Sequence, residues 1–353
     1  MCQHHPRNPI LCLIPPYLLD QIARHGNKAQ REAALSTRAK DSTFRSLRMA
    51  AQPTRPRAQA AATAFVGKRR SIYTADGSET LPGTLVRGEG QPASGDAAVD
   101  EAYDGLGATF DFFAEVFDRN SIDDAGLALD ATVHFGKGYN NAFWNSAQMV
   151  FGDGDGQLFN RFTVALDVIG HELAHGVTED EAKLMYFNQS GALNESMSDV
   201  FGSLIKQYAL KQTAQTADWL IGEGLFTSKI NGVALRSMKA PGTAFDDKLL
   251  GKDPQPGHMD DFVHTFDDNG GVHINSGIPN HAFYQVATRI GGPAWEKAGR
   301  IWYDTLRDPR LRPNTGFLRF ARISFDVAGR LYGIGEGPQQ AVKEGWAAVG
   351  IAL

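Results

Sequence analysis

His171-Glu172-Leu173-Ala174-His175 is the stretch from which the rest of this sequence can be read. Residues four apart stand one above the other on the same face of an α-helix, so the two imidazoles can converge on one ion. Paired neutral imidazoles in this spacing suit zinc, and the glutamate between them reaches the open coordination position rather than the metal. Two ordinary histidines on an exposed helix give the same five letters, so a third ligand is needed.

Glu195 supplies it, within Asn194-Glu195-Ser196-Met197-Ser198-Asp199. Two histidines and one glutamate leave the fourth position to water, the arrangement of a catalytic rather than a structural zinc site. Asp199 falls four residues beyond Glu195 on the same helix face. There it can accept from His171 and fix that ring's tautomer, or it can be an ordinary helix carboxylate. A third cluster runs Asp268-Asn269-Gly270-Gly271-Val272-His273-Ile274-Asn275-Ser276-Gly277. Its paired glycines permit a sharp turn, and Asp268 can orient His273 as a donor across a cleft.

In this order, the three clusters resemble the thermolysin-like metallopeptidases. The resemblance extends over residues 71–353 and is dense at Tyr139-Asn140-Asn141-Ala142-Phe143-Trp144, at Gly152-Asp153-Gly154-Asp155-Gly156 and at Arg236-Ser237-Met238. It implies an α+β fold, with an N-terminal β-rich domain, a C-terminal mostly α-helical domain and the active-site cleft between them. The divisions it suggests are residues 1–58 as propeptide and cleavable linker, 59–190 as the domain carrying the zinc helix, and 191–353 as the helical domain. It also implies roles. His171, His175 and Glu195 bind zinc, Glu172 activates water, and His273 and Tyr186 stabilise the oxyanion. Asp268 orients His273, Asn141 and Ala142 hold the substrate backbone, and Arg236 binds the carbonyl of the residue after the cut. Phe159, Phe162, Val168, Ile221 and Leu235 line the pocket for that residue, so large apolar side chains are expected there, with broad selectivity.

The sequence departs from the family at its calcium positions, where Lys206, Leu220 and Val233 stand in place of acidic residues. A lysine there can neutralise Asp167, Asp218 and Glu223, so few or no structural calcium ions are expected. The run Gly152–Gly156 is read as a turn rather than a calcium loop, because the twelfth position from Asp153 is Val164.

Cys12-Leu13-Ile14-Pro15-Pro16-Tyr17-Leu18-Leu19 resembles the short propeptide motif of the protealysin-like branch of the family, so an inactive precursor held by its own propeptide is expected. Cys12 has two readings: a thiolate filling the fourth zinc position of the precursor, or a free cysteine packed as a small apolar group.

Composition bounds the alternatives. The chain has 353 residues, 42% of them apolar, and a net charge of -5. Large cores are affordable, and no broad basic surface exists for nucleic acid. No run of eighteen apolar residues occurs, so no spanning helix is expected. Residues 1–20 lack the n-region and cleavage site of a signal peptide, which points to a cytoplasmic monomer or to release by a non-classical route. Cys2 and Cys12 are the only cysteines, so no disulfide framework is available.

Residues 37–70 contain nine Lys/Arg and little apolar periodicity, and read as an exposed linker. Short strands are expected over 71–95, a helix over 96–117, edge strands or ribbons lining a groove over 131–151, and helices near 197–211, 276–290, 294–307, 316–331 and 338–348. Histidines 134, 258, 264 and 281 have no fixed spacing to the zinc set and read as surface or packing residues. Two rival functions stay open: a catalytically dead zinc-binding protein, and a zinc hydrolase of esters or small amides.

Overall fold

The computed structural model describes residues 11–50 and 67–353, with the side chains of Leu11 and of residues 43–50 left aside. Cys2 and the first half of the segment 1–20 lie outside the described residues.

The chain opens with β1 (Leu11–Cys12), followed by α1 (Pro16–His25) and α2 (Lys28–Ala50). Pro16 sits at the first helical position of α1, where its missing N–H costs nothing and its fixed φ favours the helix. The exposed linker expected from residue 37 is corrected here, because α2 runs on to Ala50. The stripe that α2 buries includes Thr37 and Asp41, 0% and 4% exposed. A polar stripe leaves no hydrophobic period to read.

Next come β2 (Arg70–Thr74), β3 (Thr84–Gly88), α3 (Ala97–Phe117), β4 (Leu129–Val133), β5 (Ala142–Trp144) and β6 (Met149–Phe151). Six strands form one sheet in the order β1-β5-β6-β4-β2-β3. The β2/β4 and β4/β6 pairs are parallel and the others antiparallel. α3 starts at the Asp96 cap, whose carboxylate accepts from the N–H groups of Ala98 and Val99. Its stripe of Val99, Leu106, Phe110, Phe113 and Phe117 is buried. The edge position expected for residues 131–151 holds only in part: β4 is central, whereas β5, among the described residues, has only the short β1 on its outer side.

The remainder is mostly helical: α4 (Leu166–Glu181), α5 (Asn188–Ala209), α6 (Asp268–Asn275), α7 (Gly277–Ile290), α8 (Ala298–Leu306), α9 (Phe317–Tyr332) and α10 (Gly337–Ala347). A ribbon of β7 (Leu220–Ile221) and β8 (Arg236–Ser237) interrupts it. α4 and α5 cross where glycine meets glycine. A Cβ on Gly202 would lie 2.3 Å from the Asp167 carbonyl oxygen, and one on Gly170 would lie 3.2 Å from the Gly202 Cα. That close approach brings residues 171 and 175 of one helix against 195 and 199 of the other. α5 begins well before the expected residue 197 because its first turns carry the polar site residues. No helix among the described residues is long and apolar enough to cross a membrane.

Candidate active site

α4 and α5 face each other across their glycine crossing with six polar side chains, His171, His175, Asn194, Glu195, Ser198 and Asp199, buried between them. His171 Nδ1 donates to Asp199 Oδ1 at 2.8 Å. His175 Nδ1 lies 2.8 Å from Asn194 Oδ1 and 2.9 Å from Ser198 Oγ. A proton on each Nδ1 leaves each Nε2 as an acceptor. These two acceptors lie 3.1 Å apart and 3.6 and 3.5 Å from the oxygens of Glu195. Nitrogens bound to one tetrahedral zinc at its usual bond length stand roughly 3.3 Å apart. His171, His175 and Glu195 form the one group among the described residues able to hold a metal. Buried lone pairs turned on a carboxylate are reconciled by a cation, so these residues fit zinc. Burial pushes the His175 imidazole down to about 3, the neutral form that a metal ligand needs. Burial would push Asp199 up, but the charges of Arg236 and His171 hold it well below the carboxylate range.

Glu172 lies next to this group. Its Oε2 accepts from the backbone N–H of Trp144 at 3.1 Å, while Oε1 is buried without a partner. Burial, and then the charge of Glu195, push its pKa well above the usual value. Arg236, on β8, repeats the pattern beside Asp199. Its Nε and Nη2 donate to Asp199 at 2.8 and 2.7 Å, while Nη1 is buried and unpartnered. β7 and β8 hold Arg236 opposite Ile221, and Leu235 N–H donates to Ile221 O at 3.0 Å. Phe159, Phe162, Val168, Ile221 and Leu235 are all buried in the main core.

Asp268 begins α6, and Asn269, Gly270 and Gly271 follow with φ of 52°, 84° and 74°. This left-handed run suits glycine, and it folds Asp268 back onto His273. Asp268 Oδ2 accepts from the His273 backbone N–H at 2.9 Å and Oδ1 from Nδ1 at 2.6 Å. On the other side of the ring, Nε2 lies 3.1 Å from the Cys12 carbonyl oxygen. Oxygens thus face both ring nitrogens. Burial opposes the charge, but Asp268 and Glu195 outweigh it and raise the pKa. Tyr186 is adjacent, its hydroxyl donating to Glu195 and lying 3.1 Å from His273 Nε2.

Residues 11–14 run beside residues 141–144. Leu11 and Cys12 pair antiparallel with Trp144 and Phe143. Leu13 N–H donates to Ala142 O at 3.2 Å and Ile14 N–H to Asn141 Oδ1 at 2.9 Å. The Cys12 side chain is buried with Ala75, Phe135, Tyr139, Phe143 and Val150, outside the metal group. Geometry therefore favours the packed cysteine over the thiolate on zinc.

Lys206 Nζ sits 2.9 Å from Asp167 Oδ2, 3.0 Å from Asp218 Oδ1 and 3.1 Å from Leu220 O. Glu223 and Val233 are exposed and take no part in these three contacts. His134 is bound at both nitrogens, with Asp153 2.9 Å from Nδ1 and Asp96 3.0 Å from Nε2.

Sequence reasoning did not single out Asn194, Ser198 or Asn280, whose Nδ2 donates to Asp199 Oδ2 at 2.8 Å. A signal existed for two of them: 194/198 and 195/199 are both four-residue pairs, matching 171/175 on the facing helix.

Comparison with known proteins gives concordant results. Residues 29–179 match the thermolysin metallopeptidase catalytic domain and residues 182–351 its alpha-helical domain. An extracellular metalloprotease of Pectobacterium carotovorum subsp. carotovorum is 54% identical over 98% of this chain and 97% of its own. An extracellular minor metalloprotease of Serratia marcescens is 41% identical over 97% of this chain and 95% of its own. The solved precursor of protealysin, a metalloproteinase from Serratia proteamaculans, superposes with a TM-score of 0.88 at 55% identity, covering 97% of this chain and 100% of that one. The expectation of a cytoplasmic protein, or of one released by a non-classical route, is corrected by the extracellular names of these full-length relatives.

Proposed function

This chain belongs to the thermolysin metallopeptidase family, and from that premise we propose how its cleft cuts peptide bonds. The protein is a zinc-dependent endopeptidase made as a precursor. The observation that carries the reading is the pair of buried, unpartnered atoms, Glu172 Oε1 and Arg236 Nη1, flanking a three-residue metal group.

His171, His175 and Glu195 would hold zinc, which would supply Lewis acidity toward a peptide carbonyl and toward water. Glu172 takes the attacking water's proton at Oε1 and passes it to the departing amine, a task for which a raised carboxylate pKa is suited. His273 and Tyr186 donate to the oxygen on which negative charge develops, Asp268 holding the His273 ring in place. Asn141 and Ala142 bind the substrate backbone as they bind Leu13 and Ile14 in the precursor. Arg236, steered by Asp199, gives Nη1 to the carbonyl following the cut. The apolar pocket of Phe159, Phe162, Val168, Ile221 and Leu235 then selects large apolar side chains on the C-terminal side of the scissile bond. Each methylene discriminates by only about 1–3 kcal/mol, which makes the enzyme broad.

Residues 1–58 serve as the removable prosegment and linker, with domains at 59–190 and 191–353. Lys206 takes the place of a structural calcium ion. The enzyme acts outside the cell on protein and peptide substrates, as a monomer. A dead zinc binder has no use for an intact Glu172, His273 and Tyr186, and a hydrolase of esters or small amides has none for the extended aromatic and Asn-rich segment at 139–144.

The test is metal analysis joined to casein clearance, on precursor and matured protein, with Glu172→Ala as control. One zinc per chain, with clearance only after maturation and none from Glu172→Ala, is expected. Clearance by metal-free protein or by Glu172→Ala would overturn the mechanism.

A further inference from the structure

The prosegment meets the substrate groove a second time, through α2. Asp41, 4% exposed on that helix, accepts from the Asn141 Nδ2 at 2.9 Å through Oδ2 and from the Tyr139 hydroxyl at 2.5 Å through Oδ1. One turn earlier, Thr37 Oγ1 accepts from the Asn140 backbone N–H at 3.0 Å. Helix positions 37 and 41 thus address three consecutive residues of the segment that leads into β5.

The orientation of the Asn141 amide follows from its partners. Two backbone N–H groups, of Ile14 and of Ala142, donate to Oδ1 at 2.9 and 3.0 Å. Both are obligate donors, so the oxygen must face them and the NH2 must face Asp41. In an extended peptide whose N–H binds Oδ1, a carbonyl just downstream falls to the same amide's NH2. In the precursor the partner of that NH2 is Asp41 rather than a prosegment carbonyl. At Pro15-Pro16 its main chain turns into α1, and Pro15 O accepts instead from Leu18 N–H at 3.1 Å.

We propose that Asp41 is a carbonyl mimic: its carboxylate takes the place on Asn141 Nδ2 that a downstream substrate carbonyl occupies during turnover, closing the groove where the prosegment backbone has already left it. This rests on the reading of Asn141 as a substrate-backbone residue. The division of labour is physical. A continuous peptide satisfying every groove contact would be a substrate, whereas a strand that ends at Ile14 and is completed by a side chain from another helix offers no extended chain to cut beyond that point. Asp41 is a positioning residue of the latent state and leaves with the prosegment.

The test compares full-length wild-type precursor with Asp41→Ala and Asp41→Asn. Three quantities are read: cleavage of a short fluorogenic peptide by intact precursor, the rate of maturation, and kcat/KM of the matured enzyme. Asp41→Ala strands a buried donor, so roughly tenfold or more leakage and a matching acceleration of maturation are expected. Asp41→Asn keeps a carbonyl oxygen for Asn141 and an NH2 for the Tyr139 oxygen, so latency within about twofold of wild type is expected from that retained pairing. All three matured enzymes should be identical in kcat/KM. Should the alanine precursor fail to accumulate, Asp41→Leu, with bulk but no acceptor, replaces it. A fully latent Asp41→Ala, or an Asp41→Asn as leaky as alanine, overturns the mimic while leaving the protease reading intact. Failure of every precursor, wild type included, to yield a protease overturns both.

Discussion

Arg236 grips Asp199 through two nearly parallel bonds, Nε to Oδ2 at 2.8 Å and Nη2 to Oδ1 at 2.7 Å, and the same Oδ1 accepts from His171 Nδ1 at 2.8 Å. One carboxylate therefore sets both a metal ligand and the arginine proposed to meet the substrate. Asp199→Asn should lower zinc affinity about 10- to 100-fold and also raise KM under saturating zinc, because the arginine loses its fork partner. Equilibrium dialysis against a zinc buffer, with kinetics in excess zinc, separates the two. A normal KM in zinc-saturated variant would mean that Arg236 is placed by something else.

His273 reaches the cleft only because residues 269–271 fold Asp268 back onto it. His273→Ala should reduce kcat by about 10²- to 10³-fold, the usual cost of one oxyanion donor, with zinc content unchanged. Near-normal turnover would remove His273 from the chemistry.

Lys206 joins Asp167 and Asp218 across the start of α4. Burial disfavours its ammonium, but the two carboxylates outweigh that and raise its pKa. A calcium-specific chelator should leave Tm unchanged. Lys206→Met leaves Asp167, 1% exposed, as an uncompensated buried charge and should cost about 3–5 kcal/mol. Lys206→Glu should make Tm rise with added calcium, since it gathers carboxylates and the Leu220 carbonyl around one point. A wild-type Tm that collapses on chelation would contradict the exchange of ion for lysine.

His134 clamps the loop at Asp153 to the cap of α3 at Asp96. Burial lowers its pKa, and the two carboxylates, Asp153 first, more than reverse that. A raised folded pKa means that the stabilisation is complete below the ordinary imidazole value of about 6.5 and is lost as pH climbs through the higher folded value. Urea unfolding at pH 6 and pH 8 should therefore show a loss of up to about 1 kcal/mol in wild type that is missing in His134→Gln. Equal pH dependence in both proteins would show the clamp to be inert.

The His171/His175 pair and the Asp268–His273 pair were legible because each depends on spacing within one helix or one tight turn, and Glu195 because it falls on the next helix, which the glycine crossing brings against the first. Such distances are fixed by backbone geometry and survive any error about the fold around them. The helices from residue 277 onward were legible for a related reason, since their apolar stripes pack on a large core. What escaped was polar. α2 turns Thr37 and Asp41 inward, so its sequence looks like a linker. Asn280 meets Asp199 across 81 residues, and no local pattern encodes such a meeting. The Cys12 thiol could have gone to metal or to core, and only the pairing of β1 with β5 turns it toward Phe143.

The place of β1 has a consequence for the life of the molecule after maturation. Once the prosegment departs, Ala142–Trp144 becomes an outermost strand whose amides and carbonyls seek any unfolded chain, including that of a sister molecule. Exposed edges of this kind invite self-association as readily as they receive a substrate. While β1 is in place it covers that rim, so the precursor carries its own protection against edge-to-edge pairing, a protection that the finished protease gives up in order to receive its substrates.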